Sequence, residues 1–148
     1  MRLVIFGAGG TGGYFGAKLA RSGEDVTFLA RGTHLKAIRE KGIQIRSAIE
    51  GDWQIPVRAV EMLDGQPSAE LVLFCVKSFD TETAAELAKP VIGANTGVLS
   101  IQNGVDNEET IGRILGPGHV MGGVAYVFSN IEAPGGDRAS PVWPHRLR

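Results

Sequence analysis

The sequence predicts an α/β fold built on a doubly wound, mostly parallel sheet, and three observations carry that prediction. The first is Leu3-Val4-Ile5-Phe6, four apolar residues without polar alternation, as expected of a strand covered on both faces. The second is the set of glycines directly after it, Gly7, Gly9 and Gly12 in G-x-G-x-x-G spacing, leading into a helical run. The third is recurrence. Short apolar runs at 26–30, 71–76 and 98–101 alternate with helix-like stretches, the β-α-β rhythm of a Rossmann-type domain.

Each element has its own warrant. The first helix carries Phe15, Leu19 and Ala20 on one side and the small residues Gly13, Gly16 and Ala17 on another, and stops at Ser22-Gly23. Residues 26–30 complete a β-α-β unit within about 30 residues. A short helix spans 33–41, with Leu35 and Ile38 inward, ending at Gly42. The period then changes. Residues 43–46 and 53–57 alternate apolar and polar around Glu50-Gly51-Asp52, an inserted antiparallel hairpin whose second strand Pro56 confines to an edge. Asp80 is placed to cap a helix running to Lys89, and Asp106 with Glu109 forms a D-x-x-E capping box for the next. Residues 120–128 read as one further strand. A domain boundary falls at 136: residues 1–136 form the dinucleotide-binding domain, and 137–148, with two prolines and no periodicity, an irregular tail.

Composition excludes several classes of function. The 148 residues, 43% hydrophobic and 21% charged, suffice for one globular domain with a real core. The 21 glycines are about twice the usual share, in keeping with tight βα turns and close backbone approach to a ligand. A net charge of −1 leaves no electrostatic footprint for nucleic acid or an acidic membrane. No apolar run reaches the roughly 18 residues that span a bilayer, and no signal-peptide pattern opens the chain. The one cysteine, Cys75, sits in an apolar strand and reads as a small buried hydrophobe, suited to a reducing cytoplasm. His34, His119 and His145 form no metal-ligand spacing, so no metal is expected. No G-x-S-x-G or Gly-Lys-Ser/Thr element supports a hydrolase or a P-loop.

The chemistry is expected where strands end. In a doubly wound sheet, ligands lie at the carboxyl ends of the strands. Those ends are the loop Gly7, Ala8, Gly9, Gly10, Thr11 and Gly12, then Arg31, then Val76-Lys77-Ser78, then Gln102-Asn103-Gly104. Gly7 serves the tight turn, Gly9 the approach of a pyrophosphate and Gly12 close helix packing. The pyrophosphate sits at the helix N-terminus. NAD-binding sites carry an acid roughly 20 residues beyond the glycines. Here Ala30-Arg31 stands instead, and an Arg makes bidentate contacts with a 2′-phosphate, which favours NADP(H) over a solvated side chain. Lys77 can meet a substrate carboxylate or a developing alkoxide, or simply end a strand in solvent. Asn103 offers a donor and an acceptor, or turn chemistry with Gly104.

Taken together, Ile5-Phe6-Gly7-Ala8-Gly9-Gly10-Thr11-Gly12, Leu29-Ala30-Arg31, Cys75-Val76-Lys77-Ser78, Gln102-Asn103-Gly104-Val105, Gly122-Gly123-Val124-Ala125 and Ile131-Glu132-Ala133-Pro134-Gly135 resemble the ketopantoate reductase (2-dehydropantoate 2-reductase) family. The resemblance implies NADPH on the glycine loop with Arg31 on its 2′-phosphate, and Val76, Lys77 and Asn103 beside the nicotinamide. Lys77 and Asn103 would also serve the substrate, a small 2-keto acid. The implied reaction is hydride transfer to 2-dehydropantoate, on the route to pantothenate and coenzyme A. Family members continue into a helical C-terminal domain that carries the general acid. That domain is missing from these residues, and the tail fits a truncated or shifted reading frame. NADPH binding is therefore expected to survive better than turnover. A non-catalytic NADP(H)-binding module, a reductase of another 2-keto acid and a homodimer stay open.

Overall fold

The computed structural model describes residues 1–47 and 50–140, with backbone alone for 137–140. The chain runs β1 (Arg2–Phe6), α1 (Gly10–Arg21), β2 (Asp25–Leu29), α2 (Gly32–Lys41), β3 (Ile43–Ser47), β4 (Trp53–Ile55) and β5 (Arg58–Val60). It continues through β6 (Leu71–Phe74), α3 (Thr81–Ala88), β7 (Gly97–Ser100), α4 (Asn107–Leu115), β8 (Val120–Gly122), β9 (Phe128–Ala133) and β10 (Gly136–Ser140).

Six strands form one sheet in the order β5-β2-β1-β6-β7-β8, and every neighbouring pair is parallel. From β1 the chain works outward through β2 to β5, then crosses back to β6 on the other side of β1. That reversal leaves a crevice at the carboxyl ends of β1 and β6, where such sheets hold ligands. Side-chain alternation along β1 explains the two covered faces. Leu3 and Ile5 point into a cluster with Ala17, Phe28, Leu35 and Ile38, whereas Val4 and Phe6 point into one with Val72, Phe74, Ala85, Val98 and Ile111. Phe6 and Phe74 stack with ring centroids 5.0 Å apart. Helices α1 and α2 therefore cover one face, α3 and α4 the other.

The second sheet is where the structure departs from the sequence reading. The predicted hairpin is present, with Ile43 opposite Ile55 and Ile45 opposite Trp53, but it belongs to a separate four-stranded sheet, β4-β3-β10-β9. The expected strand over 120–128 is two strands. β8 closes the parallel sheet, and the chain then leaves it to form β9 in the second. The break comes after Gly122-Gly123, where a Cβ on Gly123 would press on Leu99 Cδ1 at 3.0 Å. The backbone of residues 137–140, expected to be irregular, lies in β10, parallel to β3 and antiparallel to β9. The remaining tail, 141–148, lies outside the described residues. Neither predicted side-chain cap forms. Asp80 and Asp106 hold the N-cap positions of α3 and α4 without a capping hydrogen bond. On α1 the buried face is the small one: Gly12, Gly13, Gly16 and Ala17, with Tyr14. Phe15, Leu19 and Ala20 pack at its margin.

Candidate cofactor-binding site

The glycine loop joins β1 to α1, and its glycines are glycines for different reasons. Gly7 has φ +90°, and a Cβ there would stand 2.8 Å from the backbone of Cys75 and Val76 at the end of β6. Both the conformation and the neighbouring strand demand a residue without a side chain. A Cβ on Gly12 would lie 2.0 Å from the Gly7 carbonyl oxygen, so α1 sits directly on the loop. Gly10 is closed off by β9, whose Ser129 carbonyl oxygen would be 2.5 Å from its Cβ. Gly9 differs from all three. Its backbone is extended, with φ −82° and ψ −170°, and a Cβ would meet only Ile131 Cδ1 at an ordinary 3.7 Å. The protein does not require glycine there. Gly9 lines a cleft and is the N-cap of α1 without a side-chain cap. It therefore leaves a cradle that a Cβ would fill, beside the unpaired amides of a helix N-terminus, and the residues present fit the pyrophosphate of a dinucleotide.

That cleft, of about 260 Å³, runs from Gly7, Ala8 and Gly9 past Ala30 and Arg31 to Asp80 and Thr83 near the start of α3. Arg31 is exposed at the N-cap of α2. It is the permanent cation of the lining, and Asp80 the carboxylate. His34 ties the loop to the second sheet, a role the sequence reading missed. The Gly135 N–H donates to Nδ1 at 3.1 Å. The proton therefore sits on Nε2, which donates to the Ala8 carbonyl at 2.5 Å. One imidazole thus joins the glycine loop to the β9–β10 turn. The Gly135 contact lies 101 residues away in sequence, and no local signal could have revealed it.

A second cleft, of about 200 Å³, adjoins the first at Val76, which lines both. It brings Thr11, Lys77, Gln102 and Asn103 together from the starts or ends of three different elements. Lys77 and Asn103 are exposed at its mouth. Cys75 forms part of the wall, and burial pushes its thiol up to about 12, leaving it protonated. The residues singled out at the strand ends thus border one of two adjoining clefts, apart from Gly104 and from Gly10 and Gly12, which the packing of β9 and the loop itself explains.

Among the described residues no group of three His, Cys, Asp or Glu side chains could hold a metal ion. His119 Nδ1 bonds to the Thr96 carbonyl at 2.8 Å, and His145 lies outside the described residues. No helix among the described residues is long and apolar enough to cross a membrane.

Comparison with known proteins extends these observations. A 2-dehydropantoate 2-reductase from Pyrococcus horikoshii is 35% identical over 135 residues, 91% of this chain and 43% of the relative. One from Mesorhizobium japonicum is 32% identical, over 91% of this chain and 48% of its own. The chain spans less than half the length of these curated relatives. Among solved structures, a 2-dehydropantoate 2-reductase from Geobacter metallireducens superposes with a TM-score of 0.89 at 37% identity, covering 96% of this chain and 47% of that one. A D-mandelate dehydrogenase solved with NADH shares the fold at 23% identity and a TM-score of 0.86, over 97% of this chain and 46% of that one. Residues 3–138 match the family model described as ketopantoate reductase PanE/ApbA, from the first strand into β10, and the chain belongs to that family.

Proposed function

We propose that this chain is the cofactor-binding half of an NADPH-dependent 2-dehydropantoate 2-reductase, acting in the cytoplasm on the route to pantothenate. The observation that carries the proposal is the continuity of the two clefts. The Gly9 cradle and Arg31 lie in one, Lys77 and Asn103 in the other, and Val76 forms part of both. A dinucleotide laid along them has its phosphates at the N-terminus of α1, its adenosine end at Arg31 and its nicotinamide end at Lys77 and Asn103.

When bound, NADPH supplies the hydride for the C2 ketone of the keto acid. The chain's own residues bind and orient. The amides at the start of α1, with the helix dipole behind them, hold the pyrophosphate. The Arg31 guanidinium takes the 2′-phosphate in a bidentate pair, and the absence of a carboxylate at the end of β2 removes the partner an NAD ribose would need. Lys77 keeps an ammonium at the mouth of the second cleft, where it attracts the substrate carboxylate and stabilises negative charge developing on the ketone oxygen. Asn103 holds a ribose or substrate hydroxyl through its amide.

Nicotinamide fluorescence titration and a reductase assay on one sample test the proposal. NADPH binding with at most weak ketopantoate-dependent oxidation is the expected result for the cofactor-binding half. Tight binding without turnover assigns the chain to the non-catalytic class, and turnover of other 2-keto acids alone redirects the substrate. No binding of NADPH or NADH removes the proposal altogether.

A further inference from the structure

Beneath the second cleft three side chains run in series between the two loops that carry Lys77 and Asn103. The Gln102 side-chain amide donates to the Val76 carbonyl at 3.0 Å and to the Thr81 hydroxyl at 2.8 Å. The Thr81 hydroxyl donates to Asn107 Oδ1 at 3.1 Å, and Asn107 Nδ2 donates to the Asn103 carbonyl at 3.0 Å. Each direction is forced. The carbonyls of Val76 and Asn103 only accept, so each must face an NH2 group, which fixes the orientation of both amides. The single hydroxyl proton of Thr81 then has one acceptor left, the Asn107 oxygen. Ser100, wholly buried, closes the series at Gln102 Oε1.

The relay therefore starts on the carbonyl of the peptide bond leading into Lys77 and ends on the carbonyl of Asn103. Thr81 and Asn107 are 2% and 5% exposed, and neither borders a cleft. They reach the cleft only through Gln102 and Asn103. We propose that Thr81 and Asn107, with Gln102, are positioning residues: they fix the separation of Lys77 and Asn103 and so control how the nicotinamide end of the cofactor is held. The adenosine end, at Arg31, lies in the other cleft and is outside their reach. This rests on the NADPH reading above.

A split between two ligands tests it, measured on the whole 148-residue chain. One ligand is NADPH; the other is 2′-phospho-ADP-ribose, which keeps the adenosine and pyrophosphate groups and lacks the nicotinamide. Thr81→Val keeps the branched shape and removes the hydroxyl, leaving a donor on Gln102 and an acceptor on Asn107 unpaired. The expected result is a roughly ten-fold loss of NADPH affinity, with 2′-phospho-ADP-ribose unchanged within about two-fold, and Thr81→Ser restoring the wild-type ratio. A fold-wide effect lowers both affinities together and overturns the proposal, as does a folded Thr81→Val with no change in either. Gln102→Met cuts the relay at its partly exposed end, so it covers the case in which the valine variant does not fold, and the same split is expected. Wild-type chain that binds neither ligand defeats the NADPH reading itself, a result distinct from a missing split.

Discussion

Replacing Gly9 by alanine separates what the fold needs from what a ligand needs. The added Cβ meets only Ile131 Cδ1 at 3.7 Å, and the extended backbone at φ −82° suits any residue. Two small effects on stability oppose each other. Restricting the unfolded chain stabilises by about 0.4–1 kcal/mol, and a poorer N-cap costs roughly as much. The sum lies within about 0.5 kcal/mol of zero, so Tm moves by less than roughly 2 °C for a domain of this size. Cofactor binding has no such cancellation. The methyl group occupies the cradle at the start of α1 and pushes a pyrophosphate off at least one or two backbone amides, each charge-assisted bond worth about 1.5–3 kcal/mol. The expected loss in NADPH affinity is on the order of 100-fold or more. Thermal melts and nicotinamide fluorescence on the same preparation read both quantities. Gly7→Ala and Gly12→Ala serve as controls of the opposite kind, because backbone atoms at 2.8 Å and 2.0 Å leave no room for their Cβ atoms. Both should lose the fold. A Gly9→Ala variant that melts like wild type and binds NADPH within about three-fold of it would refute the assignment of the loop to a pyrophosphate.

Other consequences are equally direct. Arg31→Ala should weaken NADPH by on the order of 100-fold and NADH by less than about three-fold, since only the former loses a bidentate charged pair; equal losses in competition titrations would remove the 2′-phosphate argument. His34→Ala deletes the link between the Ala8 carbonyl and the Gly135 amide, and should cost about 1–3 kcal/mol, read as a fall in Tm of several degrees, whereas an unchanged Tm would show the bridge to be idle. With its thiol pushed up to about 12, Cys75 is protonated at pH 8 to all but about one part in ten thousand. Alkylation of the native chain at that pH should be slower than in denaturant by at least about a thousand-fold, and comparable rates would show that the β6 strand end opens readily.

The parts of the fold written locally were legible. Leu3 to Phe6 lacks polar alternation because both sheet faces are covered, and the glycine spacing marks the turn after it. Arg31, Lys77 and Asn103 could be singled out because a doubly wound sheet gathers its strand ends on one rim whatever their distance in sequence. Pairing partners were less accessible. The three-residue strand β5, Arg58-Ala59-Val60, carries too few residues to show a period, yet it forms the outer edge of the parallel sheet. Strand β10 looked irregular because its order comes from β3 and β9, not from its own composition. Gly10 read as part of the phosphate loop, while its closest neighbour is the Ser129 carbonyl of β9. Asp80 and Asp106 have the residue type and the position of caps, but their backbones, at ψ −2° and 2°, are not in the extended conformation from which an N-cap side chain reaches the first amides of its helix.

The crossing of β9 over the start of α1 has a consequence for how the chain assembles. All six strands of the parallel sheet are made before residue 128, so the central sheet can form while the polypeptide is still emerging. The glycine loop belongs to the β1-α1 unit, yet its outer wall, Ser129 and Ile131, is made only after the central sheet, and the Gly135 amide that donates to His34 follows it by 101 residues. Until β9 and β10 dock against β3, the glycine loop lacks the wall that closes over Gly10. Nascent chains released before that point should therefore bury their core and still lack the wall of the loop proposed to hold a pyrophosphate, so that NADPH binding should follow formation of the central sheet instead of accompanying it.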